Sequence, residues 1–169
     1  MSEGQKLIFM GGAPGVGKTV TCELLYRSLP DSICLEADDL WCKMNPFRAD
    51  ATTIPMIERN VSAVLRNFLE AGFQHVVLCW VLHEQDIIDR LLDPLHDLRF
   101  SFFSFTLVCE EGVLRRRWPR RRRVTGTIEH ACHRLRQTRR LEATRLIDTT
   151  EMSVEEVVRA IIRQLDAAE

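Results

Sequence analysis

The sequence predicts an α/β fold of three layers, in which helices cover both faces of a five-stranded parallel sheet. Short apolar runs that suit buried strands alternate with segments in which apolar residues recur every three or four positions. Glycine-rich or acidic residues follow the strands, at the edge where parallel sheets bind ligands. The 169 residues are 46% hydrophobic, and neither a repeat nor a linker divides them. We therefore expect a single domain over residues 1–169.

Predicted strands and helices alternate in the order that this fold requires. The strands are Leu7–Met10, Ile33–Leu35, His75–Val81, Arg99–Cys109 and Arg145–Ile147. The helices are Thr19–Ser28, Ile54–Ala71, Asp86–Leu92, Glu110–Trp118, Thr127–Leu141 and Ser153–Leu165. Two boundaries have a specific cause. Gly72 is expected to end one helix, and Ser153 with Glu156 three residues later predicts a capping box.

Composition and charge exclude several classes of protein. The longest apolar runs are too short to span a membrane, and the N-terminus lacks the apolar region of a secretory signal. Six cysteines form no Cys-x-x-Cys pair, which indicates reduced thiols and a cytoplasmic protein. The net charge of −1 is uneven, because residues 115–123 contain seven arginines and the rest of the chain carries −8. This distribution argues against a nucleic acid partner and favours one local anion site.

A glycine-rich stretch follows the first predicted strand and matches the pattern G-x-x-x-x-G-K-[ST] at every position. Its residues are Gly12, Ala13, Pro14, Gly15, Val16, Gly17, Lys18 and Thr19, and Val20 continues into the predicted helix. Such loops turn backbone N–H groups toward phosphate oxygens at the positive end of a helix. Lys18 is expected to reach the β- and γ-phosphates, and the Thr19 hydroxyl to bind magnesium. The pattern predicts an ATP site over these nine residues; the alternative is a turn that only links strand to helix.

This P-loop near the N-terminus, the chain length and the five β–α units resemble the small P-loop kinases. That group includes nucleoside monophosphate kinases, shikimate and gluconate kinases and some antibiotic phosphotransferases. The resemblance covers nearly the whole chain in element order, but only the P-loop is a highly specific motif. It implies the nucleoside-monophosphate-kinase type of P-loop fold, ATP and Mg²⁺ as cofactors, and transfer of the γ-phosphate to a small acceptor. It further implies an acceptor-binding segment at about 38–72 and an arginine-rich lid at about 115–127, in a monomer or homodimer.

Two aspartates, Asp38 and Asp39, follow the second predicted strand, where the resemblance implies an acid that meets the acceptor. Phosphoryl transfer needs a group that orients the acceptor hydroxyl or accepts its proton. A carboxylate at this place can also hold magnesium through water. Alignment with the G-D-x-[LF]-H and V-D-x-F patterns of sugar and antibiotic kinases favours Asp38 as the base and Asp39 as a secondary residue. The alternative is an acidic pair that caps a helix starting at Leu40.

Other acceptor-binding candidates lie around this acid. Trp41, Phe47 and Arg48 follow it closely and would provide an apolar wall with one cation. His83 comes just after the third strand and is a candidate to touch the substrate, whereas Glu84 is expected to begin the next helix. The third strand carries no aspartate. This argues against a motor protein or GTPase, which uses an acid there to order magnesium.

The arginine cluster follows the fourth predicted strand, where small P-loop kinases carry a lid over the phosphates. A closed lid excludes water, and guanidinium groups pair well with phosphate oxygens. The stretch Leu114-x-x-Arg117-Trp118 resembles the family's L-x-x-R-hydrophobic sequence, which implies that Arg117 packs near the adenine. Arg121 and Arg123 are the predicted phosphate contacts. A solvated basic helix end and a nucleic-acid patch are the alternatives.

After the last predicted strand, Asp148–Thr150 lies where the family's adenine loop runs, or simply precedes the helix cap. His130 and His133 lack further ligands nearby in the pattern, so we predict no metal site there. The sequence as a whole predicts an ATP-dependent small-molecule kinase, with a nucleotide and a small acceptor as its partners. The alternatives are a P-loop nucleotide hydrolase or regulator, and a nucleic-acid-linked ATPase that uses the arginine run.

Overall fold

The computed structural model describes residues 4–40, 42–118 and 126–167. Five parallel strands form one sheet in the order β2-β3-β1-β4-β5. The strands are β1 (Lys6–Gly12), β2 (Ser32–Glu36), β3 (His75–Cys79), β4 (Ser101–Val108) and β5 (Arg145–Asp148). The helices are α1 (Lys18–Ser28), α2 (Thr53–Glu70), α3 (Gln85–Leu92), α4 (Glu111–Arg117), α5 (Ile128–Thr138) and α6 (Val154–Asp166). The predicted α/β fold with a five-stranded parallel sheet is confirmed.

The central strand, β1, pairs with β3 on one side and β4 on the other. All seven of its residues are buried. This explains why its sequence is a continuous apolar run rather than an alternation of apolar and polar residues. The P-loop that follows β1 therefore leaves the sheet at the middle of its carboxyl edge, where ligands bind in parallel α/β folds.

Helices cover the two faces of the sheet in unequal numbers. Ile8 and Met10 of β1 face one apolar core, which α1, α4, α5 and α6 complete. Leu7 and Phe9 face the other core, which α2 and α3 complete. The alternation follows from the two-residue period of a strand. The long helix α2 packs through an apolar stripe at three- and four-residue spacing, formed by Ile57, Val61, Leu65 and Leu69.

Most element boundaries differ from the sequence prediction by one or two residues, and two of the differences have a clear structural cause. β3 ends at Cys79 rather than Val81, because its neighbour β2 ends at Glu36, the residue paired with Cys79. α5 ends at Thr138 rather than Leu141, because the amides of the next residues turn back to Leu135, Gln137 and Thr138 carbonyls. The ends of strands and helices depend on such contacts, which the residue preferences of a single segment do not reveal.

The predicted capping box at the start of α6 is present. The Ser153 hydroxyl accepts a hydrogen bond from the Glu156 amide at 3.2 Å, and the Glu156 carboxylate accepts one from the Ser153 amide at 2.7 Å. Gly72 follows α2 with φ 91°, which confirms its role as a helix stop. Within the described part of the chain, none of the helices is both long and apolar enough to cross a membrane.

Candidate active site

The P-loop packs directly against the neighbouring strand at Gly12. The φ angle of Gly12 is 136°, a conformation that side chains disfavour. A Cβ atom at this position would lie 2.7 Å from the Leu107 carbonyl oxygen of β4 and 2.9 Å from Val16 Cγ1. Only glycine fits here, and this close approach fixes the path of the loop between β1 and α1. The loop residues Ala13 and Val16 are themselves buried.

The loop ends at the first turn of α1, which offers hydrogen-bond donors. Gly17 precedes α1, and no side-chain cap hydrogen bond from the described residues reaches it. The first N–H groups of a helix have no partner within the helix, and they carry its positive end. The Lys18 ammonium folds back to donate to the carbonyl oxygens of Gly12 at 2.8 Å and Ala13 at 3.0 Å. A concave set of amides with one ammonium fits the phosphates of a nucleotide.

Acidic side chains from the end of β2 face the same helical turn. Glu36, the last residue of β2, accepts a hydrogen bond from the Thr19 hydroxyl at 2.9 Å. Asp38 and Glu36 both lie close enough to Lys18 for their negative charges to raise its pKa. Burial has the larger effect, so the pKa of Lys18 lies below its ordinary value. The ammonium therefore sits between the phosphate site and two carboxylates.

The oxygen atoms around Thr19 suit magnesium. Mg²⁺ in kinases is held by one or two carboxylates together with substrate phosphates, and it keeps several water molecules. Thr19, Glu36 and Asp38 offer a hydroxyl and carboxylates of this kind. Among the residues that the structure describes, no cluster of three or more His, Cys, Asp or Glu side chains is arranged to hold a metal ion. The phosphates of the nucleotide would have to complete such a site.

Glu36 is the residue of this site that sequence reasoning missed. It ends a strand next to the paired aspartates, and an acid at the carboxyl end of a parallel strand is a signal that was available. The alternative for Asp38 and Asp39 is an acidic pair that caps a helix starting at Leu40, whereas the described turn already begins at Ala37. Both aspartates lie within a 3₁₀ turn, Ala37–Leu40. The Asp38 carbonyl accepts from the Cys42 amide at 2.9 Å, which extends the turn.

Arg117 joins the P-loop to the loop that follows β5. Its guanidinium donates to the Val16 carbonyl at 3.2 Å, to the Thr149 hydroxyl at 2.9 Å and to the Thr149 carbonyl at 2.7 Å. Thr149 is buried and donates through its hydroxyl to the Val108 carbonyl at the end of β4. The structure thus brings together Arg117 and the Asp148–Thr150 loop, which the resemblance implied to lie near the adenine.

The arginine cluster is only partly within the described residues. Its first three arginines, including Arg117, lie on α4, so this part of the proposed lid is helix. Arg115 pairs with Glu111 at 2.9 Å, and this contact holds the pKa of Glu111 below its ordinary value. Arg121, Arg123 and the acceptor candidate Trp41 lie outside the described residues. Val20, the last residue of the predicted nucleotide site, is 45% exposed on α1.

Two further acceptor candidates lie on segments other than the 3₁₀ turn. Arg48 is exposed, and its carbonyl accepts from the Thr53 hydroxyl at 3.0 Å at the start of α2. His83 is half-buried, and its Nδ1 lies 3.1 Å from the Val81 carbonyl oxygen. Burial lowers the pKa of His83, and the neighbouring Arg134 on α5 lowers it further. His83 therefore faces α5 as well as the edge of the sheet.

Comparison with known proteins identifies the family of the chain. Residues 7–144 match the model of the AAA domain family. The chain belongs to the AAA domain family. No curated protein sequence gives a significant match to it.

Solved structures share the fold of this AAA domain over nearly its full length. The tunicamycin resistance protein of Deinococcus radiodurans is 25% identical, with a TM-score of 0.70 and coverage of 95% of both chains. A gluconokinase from Sinorhizobium meliloti is 17% identical, with a TM-score of 0.73 and coverage of 96% of this chain and 93% of the other. The APS kinase of Mycobacterium tuberculosis, solved with AMPPNP and APS, is 17% identical, with a TM-score of 0.67 and coverage of 96% and 98%. The resemblance to small P-loop kinases is therefore confirmed at the level of the fold, and the AAA domain carries the nucleotide-binding P-loop of that fold.

Proposed function

We propose that the protein is an ATP-dependent kinase that transfers the γ-phosphate of MgATP to a hydroxyl or phosphate group of a small molecule. The observation that carries this proposal is the position of Asp38. It lies two residues after β2, at the carboxyl edge of the sheet, and Glu36 at the end of the same strand accepts from the Thr19 hydroxyl of the P-loop. An acid at this place can receive the proton of an acceptor hydroxyl while the P-loop holds the phosphate that is transferred. Structural neighbours that are named kinases support a phosphotransferase.

In this proposal each described residue has a separate task. The P-loop amides and Lys18 bind phosphate oxygens and neutralise the negative charge that grows between the two substrates. Thr19 and Glu36 hold the magnesium side of the site, and bound Mg²⁺ supplies further charge neutralisation at the phosphates. Asp38 orients the acceptor and accepts its proton. Arg117, through Thr149, positions the loop that borders the base of the nucleotide.

Arg121 and Arg123 complete the proposal as phosphate contacts supplied by the lid. The acceptor is a nucleoside or nucleotide, a sugar acid or an antibiotic. We assign its binding to the segment at about 38–72, with Asp39, Trp41 and Arg48, and to His83 across the cleft. The protein would act on small molecules in the cytoplasm as a monomer or homodimer.

The kinase proposal is tested by incubating the protein with MgATP and a panel of acceptors from these classes. ADP formation is followed, and the phosphorylated product is identified by mass. Lys18→Ala is expected to lower transfer by about 10²–10³-fold, the loss usual for a donor to a charged transition state. Arg159→Ala removes one positive charge from an exposed position on α6 and serves as the matched control.

The role of Asp38 is tested separately by Asp38→Asn, which keeps the shape of the side chain. It should lower kcat while leaving the nucleotide Kd nearly unchanged, because the proposed function of Asp38 is toward the acceptor. Asp39→Asn makes the same change one residue later and should have a smaller effect. ATP turnover that ignores every acceptor, and that Asp38→Asn does not reduce, would show a hydrolase and contradict the assigned role.

A further inference from the structure

Three of the six cysteines meet beneath the start of α1, although they are far apart in the sequence. Cys22 lies one helical turn after Lys18 and is only 1% exposed. Its thiol lies next to those of Cys34 and Cys79, and the three side chains line one cleft. Cys79 is buried at the end of β3, whereas Cys34 on β2 is partly exposed. The cluster therefore combines buried thiols with one that solvent reaches.

The strand register explains why these thiols lie beside the candidate active site. Cys34 and Glu36 are two residues apart on β2, so they share one face of the sheet. Glu36 is the register partner of Cys79 on β3. Because α1 packs on this face, Cys22 lies above Cys34 just as Thr19 lies above Glu36. The thiol cluster and the Thr19–Glu36 pair are thus neighbouring contacts between the same helix and the same strand.

The cluster is open to small solutes from one side. A cleft of about 390 Å³ runs between α1 and β2, and its wall includes the three cysteines together with Thr19 and Glu36. Cys34 is the cysteine on the edge strand, and a small reagent would meet it on entering the cleft. A reagent that modifies Cys34 would therefore act at the mouth of a groove that ends beside the phosphate loop.

We propose that Cys34 and Cys22 form a thiol modification site, at which peroxide generates a disulfide that ties β2 to α1 and weakens nucleotide binding. The effect on nucleotide binding rests on the proposed function, whereas formation of the disulfide does not. The hydrogen bond from Cys22 stabilises the Cys34 thiolate and holds the pKa of Cys34 below its ordinary value. Burial raises the pKa of Cys22. Cys34 is thus the attacking thiolate and Cys22 the resolving thiol.

The chemistry proceeds in two balanced steps. The Cys34 thiolate attacks one oxygen of hydrogen peroxide, the O–O bond breaks, and hydroxide leaves as the sulfur becomes a sulfenic acid. The Cys22 sulfur then attacks the Cys34 sulfur, an S–S bond forms, and the S–O bond breaks. The oxygen leaves as water with the proton of Cys22. The hydroxide from the first step takes up the proton that Cys34 released, so two thiols are oxidised to one disulfide and one peroxide is reduced to two water molecules.

The disulfide would change the position of the catalytic turn. Two bonded sulfur atoms lie about 2 Å apart, much closer than hydrogen-bonded thiols, so α1 must move toward β2. Lys18 and Thr19 belong to the turn that precedes Cys22 and would move with it. A helix that packs tightly on a sheet carries a shift at Cys22 to the preceding turn. Lys18 and Thr19 would then no longer be aligned with the phosphates.

The test uses the full chain, treated with hydrogen peroxide and then with an alkylating reagent that labels the remaining thiols. We expect the intact mass to show the loss of two hydrogen atoms and two unlabelled cysteines, and peptide mapping to assign a Cys22–Cys34 link that dithiothreitol reverses. A fluorescent ATP analogue measures nucleotide affinity on the same samples. Its Kd should rise about tenfold or more on oxidation and return on reduction.

Variants separate the assigned pair from its neighbours. Cys34→Ser, at a partly exposed position, should form no disulfide and keep its nucleotide affinity after peroxide. In Cys22→Ala, Cys34 should stop at the sulfenic acid, which dimedone labels. Cys42→Ser is the matched control, because Cys42 is also partly exposed and shares a tryptic peptide with Cys34. It should form the disulfide as the unmodified chain does.

Three outcomes would overturn the proposal. These are a disulfide through Cys79 or Cys42, no disulfide while Cys34 remains reactive, and a Cys22–Cys34 disulfide that leaves the nucleotide Kd unchanged. A reduced protein that binds no nucleotide would instead refute the proposed function. The mass analysis would still report the disulfide in that case, so the two failures are distinguishable.

Discussion

The two sides of the candidate active site are built in different ways. The nucleotide side is one continuous stretch, residues 12–19, held between the central strand and α1, and its path is fixed by close backbone contacts such as that of Gly12 with Leu107. The proposed acceptor side includes residues 42–52, which form neither helix nor strand and are mostly exposed. Local sequence determines the path of a loop whose backbone packs against the core. It determines much less where the chain runs over the surface.

The largest effect that tests this difference is expected from Gly12→Ala. The new methyl group would meet the Leu107 carbonyl and Val16 in a conformation that disfavours side chains, so we expect a loss of about 3 kcal/mol or more in the free energy of unfolding. Nucleotide binding should be lost with it. Chemical denaturation and a fluorescent ATP analogue measure the two quantities.

Gly72→Ala is the matched control for Gly12→Ala. The φ angle of Gly72 is 91°, and nothing lies within 4 Å of a Cβ atom there. This variant should cost only the backbone strain, about 1 kcal/mol, and leave nucleotide affinity unchanged. Equal losses in the two variants would mean that contact with β4 does not fix the P-loop, and the contrast between the two sides of the site would fail.

The features that the sequence predicted are those with a local signal, and the features that it missed depend on distant parts of the chain. The individual strands, the P-loop and the cap at Ser153 were predictable, because each has a signal in residues that are close in the chain. The end of β3 was not, because it depends on where the neighbouring strand stops. For Glu36 the sequence held a signal for its place at the end of a strand, but none for its contact. Its partner Thr19 lies on another element, and only the packing of α1 on the sheet brings the two together.

Arg117 was predicted in part, because the sequence indicated its role but not its contacts. Its position in the L-x-x-R stretch indicated the base of the nucleotide, but not how the side chain is held. The partners are carbonyl groups of Val16 and Thr149, which have no side-chain pattern in the sequence. Backbone acceptors of this kind become visible only when the fold places three separate segments side by side.

Arg117→Ala is expected to have the second largest effect, a loss of nucleotide affinity. It removes charged hydrogen bonds to Val16 and Thr149, and such bonds contribute about 1.5–3 kcal/mol each where they are partly buried. The nucleotide Kd should rise about tenfold, because the P-loop and the loop after β5 lose their direct link. Isothermal titration with ATP measures the change.

The control for Arg117→Ala is Arg116→Ala, which removes the same side chain one position earlier. Arg116 is exposed on α4. We expect its nucleotide Kd to stay within about twofold of the unmodified value, since exposed charges contribute little. If Arg117→Ala raised the acceptor KM and left the nucleotide Kd unchanged, Arg117 would serve the acceptor side. The division into a nucleotide side and an acceptor side would then be wrong.

The smallest effect is expected from a change at Asp50, which lies on the proposed acceptor side just before α2. One carboxylate oxygen accepts hydrogen bonds from the amides of Thr53 and Thr52, each at 2.9 Å, and these bonds hold the pKa of Asp50 below its ordinary value. A carboxyl group whose pKa is lowered by folding stabilises the fold above its unfolded pKa of about 4, and this stabilisation is lost as the pH falls through the folded pKa.

Asp50→Asn keeps an acceptor oxygen but cannot ionise, so it should be slightly less stable than the unmodified chain at pH 7. This difference should shrink as the pH falls below about 4, where Asp50 itself becomes neutral. Denaturation curves across this range measure it. The acceptor KM should rise modestly, because Asp50 sets the path of residues 42–52, and the nucleotide Kd of the same variant should not change. An altered nucleotide Kd would show that the surface segment and the P-loop are coupled through the sheet, and the independence of the two sides would have to be abandoned.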